Sequence, residues 1–329
     1  MKVLITGGAG RLGNVLAREL LKKKDYEVNI LSLPNSKLDS LKDLKVNIIE
    51  GNILNYQELV KAFKGIDYVY HLAAMISIVS YDREKVFKVN VEGTNNVINA
   101  CVESKVKRLI YVSTIHALDE HKKEVIDETV GFNILTHRGN YDQSKAQASV
   151  NILNAVKDKG LDAIIVCPTG IIGPYDFEVS FFSKYIQDYV NKKLFFFIDG
   201  SYDFVDVRDV AKAMIELSIK GEKREIYLLS GFNASVKEFN EILFKETKIA
   251  KPIKIPYFLS YLFSFITQFY YKLAKKTPVI TPYSLSTLRI NSKVSHNKAT
   301  SLIKYIPRSF KESFLDQIRW MKEKGIIKY

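Results

Sequence analysis

The chain reads as an α/β protein: a doubly wound parallel sheet with a smaller, mostly helical C-terminal lobe. Three observations predict it. Short aliphatic runs alternate with amphipathic helical stretches through the first half of the chain. The first run, Val3 to Ile5, opens into Gly7, Gly10 and Gly13, spaced three apart where strand gives way to helix. After Pro168 the alternation breaks into an irregular, aromatic-rich stretch that marks a transition in the fold.

Taken in order, the pattern predicts a strand at Lys2 to Ile5, a helix to about Lys24, a strand at Glu27 to Leu31 and a helix near Asn55 to Phe63. A strand at Tyr68 to Leu72, a helix at Val91 to Glu103 and a strand at Leu109 to Val112 follow. A helix from Asp142 to Lys159 and a strand from Asp162 to Cys167 complete the regular part. Beyond it, Pro174 lies in a loop and Phe181 to Val190 form an aromatic helix. From Pro256 to Lys272, Ser260, Ser264, Thr267 and Lys272 recur at roughly helical spacing and leave a wide aromatic face. The polar interruptions argue against a membrane-spanning helix. A lid or lobe helix is expected, with weak membrane-surface contact through 256–276, helped by Lys272, Lys275 and Lys276, as the alternative.

Composition fits a soluble enzyme. With 329 residues, 47% of them hydrophobic and 26% charged, the chain can bury a large core and support a second lobe. The formal charge of +13 is scattered in short groups such as Lys22–Lys24 and Lys105–Arg108. That pattern suits a solvated basic surface, and no nucleic-acid partner is expected. Two cysteines, Cys101 and Cys167, both in apolar stretches, suit a reducing compartment. Met1-Lys2 runs straight into the first strand without room for a signal peptide, which predicts a cytoplasmic location.

Two stretches carry chemistry. Glycines at a strand-to-helix turn permit close approach of a pyrophosphate to backbone N–H groups at the helix start, the mode of a dinucleotide site. Far downstream, Tyr141 and Lys145 are four apart and share one helix face, and Ser113-Thr114 end an apolar strand. An ammonium near a phenol favours the phenolate, so Tyr141 is expected to exchange a proton near neutral pH. With a Thr114 hydroxyl on the same reacting oxygen, and a nicotinamide exchanging hydride with its carbon, the set describes an oxidoreductase centre. His71 and His116 read as packed strand-end residues, and no cluster of His, Cys and carboxylates suggests a metal.

On these residues the chain resembles the extended short-chain dehydrogenase/reductases, a family that includes NAD-dependent epimerase/dehydratases, dihydroflavonol-4-reductase-like enzymes and 3β-hydroxysteroid dehydrogenases. The resemblance covers nearly the whole chain: TGGAGRLG and YDQSK, with HLAA (71–74), VNVEGTNNVINAC (89–101), YVSTIHAL (111–118), CPTGIIGPYD (167–176), FVDVRDVAKAM (204–214) and a tail from Lys298 to Trp320. It implies a Rossmann-type dinucleotide-binding domain at 1–170, with 203–230 returning to it, and a substrate lobe from 171–202 and 231–329. It implies Thr114, Tyr141 and Lys145 as catalytic residues, Thr114 being preferred to Ser113 because it matches the second hydroxyl of the family's pair. By the same resemblance Gly7, Gly10, Arg11, Leu12, Gly13, Asn52, Ile53, Leu72, Ala73, Ala74, Asn90, Tyr141, Lys145, Pro168, Thr169 and Gly170 contact the cofactor. Asn52 stands where relatives commonly have an Asp near the adenine. Asn90 is either a structural or proton-relay residue near the site or a helix-start Asn.

The cofactor is NADP or NAD. The position about 20 residues past the glycines, where an acid would hold the ribose hydroxyls, reads Leu31-Ser32-Leu33-Pro34-Asn35-Ser36-Lys37. Without an acid to repel a 2′-phosphate, NADP is slightly favoured, although an Arg is missing too. The expected reaction is reduction of a ketone or aldehyde, or oxidation of the secondary alcohol, on a mostly apolar small molecule. The alternative is a nucleotide-sugar epimerase or dehydratase using bound cofactor. The segments Cys167 to Ile171 and Gly200 to Phe204 lack the Asn and Arg that nucleotide-sugar relatives commonly carry, and Phe181, Phe182, Tyr185 and Tyr261 to Tyr271 are expected to line an apolar site. The expected partners are the substrate and, in a homodimer, a second copy of the chain.

Overall fold

The computed structural model describes residues 1–77, 80–119, 124–136, 139–261, 285 and 293–329. In chain order come β1 (Lys2–Thr6), α1 (Arg11–Leu21), β2 (Glu27–Ser32), β3 (Asn47–Glu50), α2 (Tyr56–Phe63), β4 (Tyr68–His71), α3 (Arg83–Phe87), α4 (Gly93–Glu103), β5 (Arg108–Val112) and β6 (Val125–Ile126). Then follow α5 (Asn140–Asp158), β7 (Ala163–Pro168), β8 (Gly170–Ile172), α6 (Phe181–Val190), β9 (Phe196–Ile198), β10 (Ser201–Asp206), α7 (Val207–Lys220) and β11 (Ile226–Leu229). Last are β12 (Phe232–Ser235), α8 (Val236–Thr247), β13 (Ile253–Ile255), β14 (Lys293–Val294), α9 (Asn297–Ile303) and α10 (Phe310–Glu323).

Seven strands form one sheet in the order β3-β2-β1-β4-β5-β7-β11, every neighbouring pair parallel. The order reverses between β1 and β4, which opens a crevice at the carboxyl ends of these two strands. Strand alternation explains the two cores. On β1, Val3 and Ile5 point to the face covered by α1 and α7, while Leu4 joins Leu59, Phe63, Val97 and Ile152 on the face of α2, α4 and α5. All are fully buried. β11, at the sheet edge beside β7, gives the last parallel pair.

Within the seven-stranded sheet, β3 is absent from the sequence pattern. β3 is a four-residue edge strand, Asn-Ile-Ile-Glu, exposed along most of its length, so no apolar alternation marks it. Outside the main sheet, β10 pairs parallel with β8 and antiparallel with β12, and α6, α8 and α10 pack around them. The rings of Phe182, Phe204, Phe239, Phe310 and Phe314 stack there at centroid distances of 5.0–5.8 Å. The aromatic segment at 256–276 is described only as far as Tyr261, where 257–261 are helical; the rest of that expectation lies outside the described residues. Among the described residues no helix is long and apolar enough to cross a membrane.

Candidate active site

The glycine turn is built by close approach. Gly7 adopts φ +73°, and a Cβ there would lie 2.8 Å from the Ala73 nitrogen. A Cβ on Gly13 would collide with the Gly7 carbonyl and with Cα of Gly8 at 2.6 Å. Helix α1 therefore starts pressed against β1, capped by Gly10 with no side-chain bond and no acidic residue in its first turn. The N–H groups of Arg11, Leu12 and Gly13 have no helical acceptor one turn back. This bare, uncapped helix start fits a dinucleotide pyrophosphate. The Arg11 side chain is committed elsewhere: it donates to the carbonyls of Ile171 (3.0 Å) and Gly173 and lies 3.6 Å from Asp176. Only the Arg11 backbone N–H is left to meet a phosphate at this helix start.

Beside this turn, the end of β4 carries a buried polar chain. The Ala73 N–H donates to Thr6 Oγ1 (3.2 Å), and Thr6 Oγ1 bonds His71 Nδ1 (2.7 Å). On the other side of the ring, His71 Nε2 bonds Thr94 Oγ1 (3.0 Å), whose hydroxyl donates to the Asn90 carbonyl (2.6 Å). Of the neutral forms of the ring, the one with its proton on Nε2 satisfies all four bonds. Burial, with Lys145 nearby, drives the imidazole pKa down to about 3, so this ring stays neutral. The Leu72 N–H bonds the Thr6 carbonyl at 3.1 Å, and the Leu72-Ala73-Ala74 backbone lies over the glycine turn.

Asn90 stands in a π-helical stretch, Lys88–Glu92, between α3 and α4. Such irregular turns are frequent at functional sites because they redirect one side chain. Its amide oxygen accepts the Met75 N–H at 2.7 Å, and its amide nitrogen donates to the Met75 carbonyl (3.0 Å) and to Ser144 Oγ (2.9 Å). Ser144 in turn donates to the Tyr141 carbonyl at 2.7 Å. Of the two readings of Asn90, this places it as a fastener between the 72–75 loop and the start of α5.

Thr114 follows β5, and Tyr141 and Lys145 stand four residues apart on α5. Ser113 Oγ bonds Ser149 Oγ at 2.8 Å, and Ser149 donates to the Lys145 carbonyl, so Ser113 belongs to the packing of strand on helix. Among the described residues, Thr114 Oγ1 accepts only the His116 N–H, at 3.3 Å, and its own proton has no acceptor. Lys145 Nζ donates to the Val112 carbonyl (2.6 Å) and lies 4.1 Å from the centre of the Tyr111 ring. Burial lowers the Lys145 pKa to about 7 and raises that of the Tyr141 phenol above its ordinary value. Here the structure differs from the expectation that Lys145 pulls the phenol pKa down. The ammonium is turned to Val112 and Tyr111, so desolvation governs the phenol.

Other expected contacts divide. Pro168 ends β7, the Thr169 N–H bonds the Leu229 carbonyl at 3.1 Å, and Gly170 opens β8, where a Cβ would lie 2.6 Å from the Tyr202 ring. Ile53 is buried against Gly93, and its carbonyl accepts Asn96 Nδ2 at 3.1 Å. Asn52 Oδ1 is used within its own turn, accepting the Leu54 N–H at 2.9 Å. After β2, Leu33 is exposed and Asn35 is left-handed, while the nearby Asp39 is held 2.6 Å from Lys42. Phe182 and Tyr185 correct the expectation of a substrate lining: Phe182 lies inside the aromatic stack, and Tyr185 bonds Asn240 at 2.8 Å. Large rings at helical spacing are the usual core of a helical layer.

Residues the sequence did not single out also matter. Ser40, on the loop after β2, donates to the Ala9 carbonyl at 2.8 Å and accepts Asn14 Nδ2, which fastens that loop over the glycine turn. Tyr202, on β10, is hydrogen-bonded to His116 Nε2. Nothing in local sequence joins residues so far apart.

Comparison with known proteins agrees with this geometry. Over the whole chain it is similar to sterol demethylase protein B of Methylococcus capsulatus, with 27% identity across 99% of this chain and 100% of that one. It is 28% identical to 3beta-hydroxysteroid-dehydrogenase/decarboxylase isoform 1 of Arabidopsis thaliana, across 92% of this chain and 75% of the relative. Among solved structures, gox2253 superposes with a TM-score of 0.84 at 26% identity, covering 99% of both chains. The profile of the NAD dependent epimerase/dehydratase family matches residues 3–230, the stretch that runs from β1 through β11 and holds the glycine turn, the β4 end, Thr114, Tyr141 and Lys145. With that stretch matched, the chain belongs to the NAD-dependent epimerase/dehydratase family, within the extended short-chain dehydrogenase/reductases.

Proposed function

We propose that the protein is an NAD(P)-dependent oxidoreductase that interconverts a ketone or aldehyde and its alcohol on a mostly apolar small molecule, with Thr114, Tyr141 and Lys145 as catalytic residues. The observation that carries this reading is the division of labour at the end of β5: Ser113 is consumed in packing, and Thr114 keeps a hydroxyl proton to offer. The glycine turn, the uncapped start of α1 and the Leu72-Ala73-Ala74 backbone would hold the dinucleotide. A bound nicotinamide supplies or accepts the hydride.

The chain's own groups handle the oxygen. Thr114 donates a hydrogen bond to it and orients it. Tyr141, with its pKa raised by burial, is protonated at neutral pH and donates its proton to the oxygen during reduction; in the reverse direction the phenolate takes it back. Lys145, one turn along α5 from Tyr141, would hold the nicotinamide ribose. The same proposal gives NADP a slight preference, since Leu33 occupies the place of a ribose-binding acid.

An apolar substrate is supported by the names of the two relatives, both of sterol or steroid metabolism, and by exposed Ile76, Ile134 and Leu135 on loops beside α5. Gln143 Nε2 donates to the Ile134 carbonyl at 2.9 Å, which ties that loop to the helix bearing Tyr141. The test is nicotinamide absorbance during incubation with hydrophobic ketones, secondary alcohols and nucleotide sugars. Turnover of the hydrophobic compounds is expected. Conversion of nucleotide sugars alone would replace this reading by the epimerase or dehydratase one.

A further inference from the structure

Away from the crevice, β9 and β13 form a two-stranded parallel ribbon with Ile253 beside Phe196 and Ile255 beside Ile198. Its inner end is anchored: Ile198 is buried, and Phe197 packs against the aromatic core. Its outer end is not. Phe195 is 70% exposed, Phe196 55% and Ile253 67%, and the helical turn that follows adds Phe258 at 68%. Register partners of a parallel pair share a face, so Phe196 and Ile253 present one apolar surface. Grouped rings in water mark an interaction surface, unlike single exposed residues.

The charges around this edge have one sign in excess. Lys192, Lys193, Lys251 and Lys254 are all exposed. Asp188 and Asp199 are already engaged, with Lys184 and Lys254, each at 2.7 Å. Lys192, Lys193 and Lys251 have no carboxylate within ion-pair distance among the described residues. A second copy of the chain suits such a surface poorly, because a two-fold contact would set these lysines against themselves. An anionic bilayer suits it well: the rings enter the interface, and the lysine stems lie along the apolar surface with their ammonium groups on lipid phosphates.

We propose that the outer end of the β9–β13 ribbon, with Phe195, Phe196, Ile253 and Phe258 flanked by Lys192, Lys193 and Lys251, docks the protein on the surface of an anionic membrane. This does not depend on the reaction proposed above, and its test does not use activity. The full chain is sedimented with phosphatidylcholine vesicles prepared with and without phosphatidylglycerol. Binding is expected to the anionic vesicles, to weaken with salt, and to be lost by about tenfold in Lys192→Glu/Lys193→Glu. Phe196→Ser and Ile253→Ser, at exposed positions, are expected to lose binding while melting at the wild-type temperature. No sedimentation with anionic vesicles, or undiminished binding by folded variants, would overturn the proposal. So would light scattering that shows a wild-type dimer converted to monomer by Phe196→Ser without any lipid binding.

Discussion

The carboxyl end of the sheet and the aromatic layer behind β10 are held together by different forces. At the sheet end, buried polar groups satisfy one another in sequence: Ala73 to Thr6 to His71 to Thr94 to Asn90, and Asn90 to Ser144 to Tyr141. In the aromatic layer, five phenylalanine rings from α6, β10, α8 and α10 pack on one another. Hydrogen bonds fix direction, and an unpaired one is costly, so the first region is rigid in geometry and intolerant of change. Ring packing fixes volume and tolerates rearrangement. The difference separates direction from volume: the network sets where single polar atoms point, and the aromatic layer sets how closely α6, β10, α8 and α10 approach one another.

The sharpest way to break this division is to remove one hydroxyl from the polar region. Tyr141→Phe is expected to lower turnover by about 10²- to 10⁴-fold while cofactor affinity changes little, read from steady-state rates and a cofactor titration. Wild-type turnover would remove Tyr141 from the chemistry. The corresponding change in the aromatic layer is Phe239→Ala, whose ring touches four others. It is expected to cost about 3–5 kcal/mol in a urea melt. A loss below about 1 kcal/mol would mean that the layer collapses around the gap, contrary to a packed core.

Acid sharpens the comparison further. The folded His71 pKa, about 3, lies below its ordinary 6.5, so the unfolded chain binds the extra proton between these values. Stability is then lost as pH falls from about 6.5 toward about 3, by an amount on the order of a few kcal/mol. His71→Gln is expected to flatten that part of the stability profile; an unchanged slope would assign the acid sensitivity to other groups. The smallest effect concerns the cofactor: NADPH is expected to bind at least as well as NADH, within about tenfold, because no acid follows β2 at Leu33. A large NADH preference would place a ribose-binding carboxylate elsewhere in the chain.

The two regions also differ in how far the sequence shows them. The sheet was legible because buried parallel strands are short continuous apolar runs, and the glycine turn because close backbone approach admits only glycine at Gly7 and Gly13. Edge strand β3 escaped because it buries little. Tyr141 and Lys145 share a face of α5, as their spacing predicts, yet the direction of Lys145 was not legible. Whether an ammonium faces a phenol or the Val112 carbonyl depends on packing across strands. Phe182 was misread as a lining residue because a ring at helical spacing looks alike whether it faces a ligand or other rings. Ser40 and Tyr202 carried no local signal, since each is joined to its site only through the folded chain.

The central claim is net hydride transfer with Tyr141 as the proton donor, and it is tested most directly by isotope transfer. Wild-type protein is mixed with reduced cofactor deuterated at the transferable position of the nicotinamide and with a hydrophobic ketone, and the product is weighed by mass spectrometry. The account predicts that the deuterium appears on the alcohol carbon and that oxidised cofactor accumulates in equal amount, both abolished by Tyr141→Phe. A product formed with the cofactor returned unchanged, or deuterium transfer that persists at the wild-type rate in Tyr141→Phe, would contradict it.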